Sequence, residues 1–175
     1  MIEWIILAGI IGVVVYGITI YNNLVRDRQR TRAGWSDIEV QLKRRHDLIP
    51  KLVDAVKQYA AYEQATLDQV TTLRNQAGNI QGVEQQGQLE NGISQGLLSI
   101  FALQEAYPEL KANQSFLQLQ NDISAVEADI QHARRYYNGA VRNLNTRIDS
   151  FPDLFIARLF NYRPAQYFEF EEIRR

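Results

Sequence analysis

From Trp4 to Tyr21 the chain reads WIILAGIIGVVVYGITIY, and no charged residue stands between Glu3 and Arg26. Eighteen residues in a helix cover about 27 Å, close to the hydrocarbon thickness of a bilayer. Asn22–Val25 can carry that helix on into the headgroups. Trp4 and Tyr21 mark its ends, where amphipathic rings favour the membrane–water boundary. A cleaved secretion signal fits less well, because the tip carries Glu3 without Lys or Arg and no small-x-small cleavage site follows the apolar run. Residues 1–25 therefore read as a single transmembrane helix that stays on the protein. Arg26, Arg28, Arg30 and Arg32 follow directly, opposed only by Asp27. The positive-inside bias then puts the N-terminus outside and the body in the cytoplasm, with the arginines beside anionic lipid headgroups. Ala8 and Gly12 form a small-xxx-small pair that lets two such helices approach closely.

The body, residues 26–150, shows helical spacing and no strand-like alternation. Phe116, Leu119, Ile123, Val126, Ile130, Ala133, Tyr137, Ala140, Leu144, Ile148 and Phe151 recur in steps of three and four, the spacing of a coiled-coil seam. Asn113 or Ser115 can cap the start of that helix, and Pro152 marks its end. A second stripe runs through Trp35, Ile38, Leu42, Ile49, Val53, Val56, Ala60, Leu67 and Val70. Pro50 falls inside it and predicts a kink or break near Leu48–Ile49. Leu89, Ile93, Leu97, Ile100 and Phe101 outline a middle helix that ends before Tyr107-Pro108. Glycines among glutamines and asparagines place a loop near residues 77–84. Gly92 and Gly96 read equally as close-packing sites or as points of flexibility. A polar-sided helix this long must bury its stripe on partners, so the fold class is all-α: a transmembrane helix followed by an antiparallel bundle of three to four long helices.

Chemistry is thinly supplied. The 175 residues hold no cysteine and two histidines, which removes disulfides, thiol catalysis and thiolate metal sites. Nineteen basic residues against twenty acidic ones leave no bulk field for nucleic acid. No phosphate loop, nucleophile elbow or HExxH run is present. Asp129 and His132 have the i, i+3 spacing of half a carboxylate–histidine metal pair, but the second half is missing. The chain is accordingly read as neither an enzyme nor a cofactor or metal binder. More telling are charges on or beside the apolar stripes: Glu63, Arg74, Glu105, Glu127 and Arg134. Buried carboxylates need partners, so these residues predict inter-helix Glu–Arg contacts, read as register-fixing pairs rather than a polar site. Arg26–Lys57 is mainly basic and Glu84–Asp129 mainly acidic, a polarity that can draw copies together.

The end of the chain, residues 151–175, is a short amphipathic and aromatic segment. Phe151, Phe155, Phe160, Tyr162, Tyr167, Phe168 and Phe170 crowd into it. PDLFIARLF after Ser150 predicts a short helix with proline at its first position. Basic residues are few there and Glu169, Glu171 and Glu172 oppose anionic lipid. Phe151, Phe155, Phe160 and Tyr162 are therefore read as assembly contacts with protein, ahead of a membrane-surface role.

The runs YNNLVRDRQRTRAGWSDIEVQLKRRHDLIPKLVDAVKQYAAYE and AYPELKANQSFLQLQNDISAVEADIQHARRYYNGAVRNLN, in this order after an apolar helix and before a Phe-Pro and an aromatic tail, resemble the LemA family of bacterial membrane proteins. The resemblance covers Tyr21 to Phe168. It implies an N-terminal membrane helix in the bacterial inner membrane and a cytoplasmic body of long helices, with no established activity or cofactor. Some relatives are linked to intracellular membrane compartments in magnetic bacteria. Family-typical residues correspond to Trp35, Leu42, Arg44, Arg45, Leu48, Pro50, Glu63, Arg74, Glu105, Tyr107, Pro108, Asn113, Phe116, Glu127, Arg134, Tyr137, Asn138 and Asn145. The tail departs from the pattern, with Phe160-Asn161-Tyr162 where relatives often carry Gly-Phe. Together these readings predict a membrane-anchored scaffold that self-associates and organises or shapes the inner membrane, its partners being lipid and copies of itself. The alternative is an anchored adaptor for another membrane protein, such as a quality-control protease.

Overall fold

The structure is a computed structural model that describes residues 1–80 and 82–169. Phe170, Glu171 and Glu172 lie outside the described residues, as does Gln81 in the loop expected near 77–84. Among the described residues every regular element is helical. In chain order these are α1 (Ile2–Lys57), α2 (Gln64–Ala77), α3 (Val83–Ala102), a 3-10 turn (Leu103–Glu105), α4 (Pro108–Lys111), α5 (Gln114–Asp149) and α6 (Asp153–Leu159). The all-α class with an apolar N-terminal helix is the observed one. Packing divides the chain into two compact units: residues 1–36 with 135–166, and residues 37–134 with the tail from Tyr167.

In the first unit Ile20 and Leu24 of α1 pack with Leu144 and Ile148 of α5 and Ala157 of α6. Trp35 and Tyr137 stack with ring centroids 5.6 Å apart. The α5 seam is buried as far as Ile148 except at the half-buried Leu119 and Ala133, but the helix ends at Asp149 and Phe151 leaves the seam for the surface. The following segment is strapped to α5 by side chains. Asn145 donates to the Ala165 carbonyl at 2.9 Å and accepts from its amide at 2.8 Å, while the Tyr137 hydroxyl donates to the Gln166 carbonyl at 2.8 Å. Proline stands just before α6 rather than at its first position, since Pro152 precedes Asp153. At its other end Asn161 has φ 54°, with its amide bonded to the Arg158 carbonyl and the Tyr162 amide to the Ala157 carbonyl. This paired arrangement is a Schellman cap, whose left-handed residue is Gly or, next best, Asn. Asn161 can thus hold the left-handed turn without a glycine.

The second unit closes around Ile49, Leu52, Val53 and Val56 of α1, Leu67 and Val70 of α2, Ile93, Leu97 and Ile100 of α3, and Phe116 and Ile123 of α5. The break expected at Leu48–Ile49 does not occur: α1 runs through Pro50 to Lys57. Proline removes the amide that would have bonded the His46 carbonyl four residues earlier. Arg74 of α2 supplies the missing donor, its Nε lying 3.2 Å from that carbonyl. The stripe instead breaks at residues 58–63, where no Gly or Pro stands. Contacts from the α4 region hold that turn. Tyr107 donates its hydroxyl to Glu63 at 3.0 Å, and Asn113 donates to the Tyr59 hydroxyl at 2.8 Å. Asn113 also accepts the Phe116 amide at 2.9 Å, capping α5. Gly96 settles the open reading of the glycines: a Cβ there would run into Val70 Cγ2, so α2 and α3 touch through it.

Candidate functional site: a buried charge network and an aromatic foot

Arg45 projects from α1 on the same face as Leu42 and Ile49, spaced three and four residues from them, and is wholly buried in the second unit. Its guanidinium is ion-paired to Glu90 of α3 through Nη2 and to Glu127 of α5 through Nη1. Nη1 also donates to Ser94 Oγ at 2.8 Å, and Ser94 donates to Glu127 Oε2 at 3.2 Å. Glu90, equally buried, gives Oε2 to Arg45, while its Oε1 accepts from Gln86 Nε2 at 2.6 Å and faces His46 Nε2 at 2.9 Å. Arg45 Nε and Gln41 Oε1, one turn apart, are buried without a partner among the described residues.

Burial pushes the Glu90 carboxyl up, but the His46 bond and the Arg45 charge outweigh it and hold the group below its ordinary value. An acid held ionised beside an always-charged guanidinium is a poor proton acceptor at neutral pH. What the arrangement can do is lock three helices in one register, because a slip of either acid would strand a buried charge.

Of the residues singled out from the sequence, Glu127 enters this cluster, and Arg74 borders it through the His46 backbone carbonyl. Glu63 meets Tyr107 instead of an arginine, and raises that phenol through the hydrogen bond. Glu105 turns to solvent and pairs with Lys111 at 3.2 Å. Asp129 lies 3.7 Å from Arg44. Arg45, His46, Gln86, Glu90 and Ser94 were not singled out as polar contacts. Their signal was present: Arg45 fills the gap between Leu42 and Ile49, and Gln86, Glu90, Ile93, Leu97 and Ile100 keep a four-three-four-three spacing. The opposite charges expected to draw copies together thus meet, in part, within one chain.

The second feature lies in the first unit. α1 contains a window long and apolar enough to cross a membrane, and its side chains are almost all exposed. Arg26, Arg28, Arg30 and Arg32 are exposed beyond it. Asp27 turns inward instead and receives Arg147 Nε at 2.7 Å, while Arg147 Nη1 bonds Asp153 of α6 at 3.0 Å. Those acids also hold the Arg147 guanidinium above its ordinary value, the Asp27 bond foremost. Trp4 is exposed at the start of the span. Tyr21 at its end stacks on Phe160 at 4.6 Å and meets Tyr162 edge-on at 6.5 Å, and Arg28 sits 5.2 Å over the Tyr162 ring. Phe151 and Phe155 pair at 5.9 Å on the exposed side of α6. Tyr21 and Arg28 are thereby brought against Phe160 and Tyr162, more than 130 positions further along the chain.

Residues 34–175 match the model of the LemA family. A protein named LemA from Metamycoplasma hominis is 30% identical over 159 residues, covering 88% of this chain and 71% of its own length. This chain belongs to the LemA family. Two further relatives, named magnetosome proteins MamQ 1 and MamQ 2, from Paramagnetospirillum magneticum, are each 22% identical over 175 residues. Each alignment covers 85% of this chain and 64% of the relative. The chain therefore spans somewhat under two thirds of those relatives' length. The LemA match includes the buried network and the aromatics Phe151, Phe155, Phe160 and Tyr162, while the apolar span, Tyr21 and Arg28 precede it.

Proposed function

We propose that this LemA-family chain is a membrane-anchored helical scaffold that self-associates and helps to organise or shape the bacterial inner membrane. The observation that carries the reading is α1. It carries an outward-facing apolar span and, within the first unit, packs Ile20 and Leu24 directly on α5 and α6, so the anchor meets packed helices without a linker. The arginines after the span favour a cytoplasmic body. Gly9 and Gly12 have no side chain or neighbouring backbone within reach of a Cβ, which leaves that face of the span open to a second helix. The relatives named as magnetosome proteins agree with a role in membrane organisation. The buried network serves as the lock on body register, and no enzymatic step is assigned to it.

The test is the mass of the full-length chain in mild detergent by light scattering, with negative-stain imaging of shape. Large uniform assemblies, reduced in size by Gly12→Leu, are the expected result. A monomer in every detergent would sink the scaffold and turn the search to the adaptor, with a membrane protein as its partner.

A further inference from the structure

The exposed face of α6 is too apolar for water and lies beside the end of the membrane span. Phe151 is 78% exposed, Phe155 59%, Leu159 74% and Phe160 53%. These residues belong to one seven-residue helix and its two flanks. The opposite face is committed to the protein. Ala157 is fully buried against Ile20 and Leu24, and Ile156 Cδ1 comes within 3.8 Å of a Cβ placed on Gly17. The packing of Ala157 and Ile156 on Ile20 and Leu24 sets the depth of α6. Gly17 is four residues before Tyr21, so it sits about 6 Å inside the boundary that Tyr21 marks.

We propose that α6 is an interfacial foot, its Phe151–Phe160 face embedded in the headgroup–acyl boundary of the same bilayer leaflet that α1 leaves. The proposal rests on the reading of α1 as the anchor. Lipid is the occupant for three reasons on this surface. The apolar face is continuous with the exposed wall of the span, through Tyr21 stacked on Phe160. Amphipathic helices with Phe and Leu on one face settle about 5–10 Å into that boundary. On α6 itself the charge also suits anionic lipid: Arg158 is exposed, as is Arg28 over the Tyr162 ring, and Asp153, the acid of α6, is bonded to Arg147, while the exposed Asp149 precedes the helix and the exposed Glu169 belongs to the second unit.

The chain has no cysteine, so single cysteines can be placed without first removing others. Phe155→Cys, Leu159→Cys and Phe160→Cys, each in the full-length chain, carry a nitroxide label in vesicles of phosphatidylcholine and phosphatidylglycerol. Collision with oxygen and with a water-soluble nickel chelate reads depth. Val14→Cys, mid-span, and Tyr62→Cys, 97% exposed in the second unit, set the lipid and water limits. Because all the labelled positions are exposed, unchanged helical circular dichroism is the folding control. The expected result is an oxygen-to-nickel ratio at all three α6 sites shifted from the Tyr62 value towards the Val14 value. If Val14 reads lipid while the α6 sites read water, the foot is wrong and the anchor stands. Shielding of the α6 sites from both collision partners would mean that a second copy covers them, which also overturns the foot. If Val14 itself reads water, the anchor falls and the foot with it.

Discussion

Arg45 shows how much a single position can commit. A guanidinium without solvent exposure must be answered, and Glu90 and Glu127 answer it from two other helices. Removing one partner of such a set costs about 3–5 kcal/mol, because the remaining charge stays buried. Glu90→Gln is therefore expected to lower the thermal midpoint of the helical signal at neutral pH, measured in detergent. The same residue sets an acid limit. Its folded carboxyl lies below the ordinary 4.5. Its contribution is thus complete above 4.5 and is lost as pH falls from there through the lower folded value. A midpoint that declines in this window, with a smaller decline in Glu90→Gln, checks the assignment. Asn161 offers a second residue-scale test. At φ 54° a side chain with a Cβ but no local hydrogen bond is strained, so Asn161→Ala is expected to cost about 1 kcal/mol while Asn161→Gly is close to neutral. Equal effects of the two would remove the Schellman cap from the account.

At the scale of elements, α1 is the place where local rules and tertiary structure disagree. Pro50 reads as a helix breaker, and a lone helix would be bent or stopped there. Arg74 offsets that by donating to the carbonyl that proline leaves free. The two residues should be coupled in a double-mutant cycle. Arg74→Met is expected to cost about 1–3 kcal/mol with Pro50 present and clearly less with Pro50→Ala, where the backbone amide returns to the His46 carbonyl. Additivity of the two changes, read from thermal or denaturant unfolding, would contradict it. The real end of α1 was not visible in the sequence, because the turn at 58–63 lacks Gly and Pro and is held by Tyr107 and Asn113 from some fifty residues away. The middle helix is a milder case. Its apolar register holds at Ile93, Leu97 and Ile100, with Leu89 packed at the edge of that core, but the polar Gln86 and Glu90 continue the buried face towards its start.

For the whole molecule, the proposed topology makes a prediction of its own. A reporter fused after Arg175 is expected to be active only as a cytoplasmic fusion, and neutralising Arg26, Arg28, Arg30 and Arg32 together should mix the orientations; a periplasmic signal from the unaltered chain would reverse the assignment. The amino-acid order alone determined the apolar span, the all-α class, the α5 stripe and the family resemblance. Each of these is periodic or contiguous in one dimension, so hydropathy and spacing suffice to read it. The tertiary structure decided which polar side chains meet, where α1 stops, and that the tail aromatics stand beside Tyr21. Those depend on residues distant in the chain arriving at one point. A charge such as Arg45 then settles in the core because partners are waiting there, although its own hydration argues for the surface.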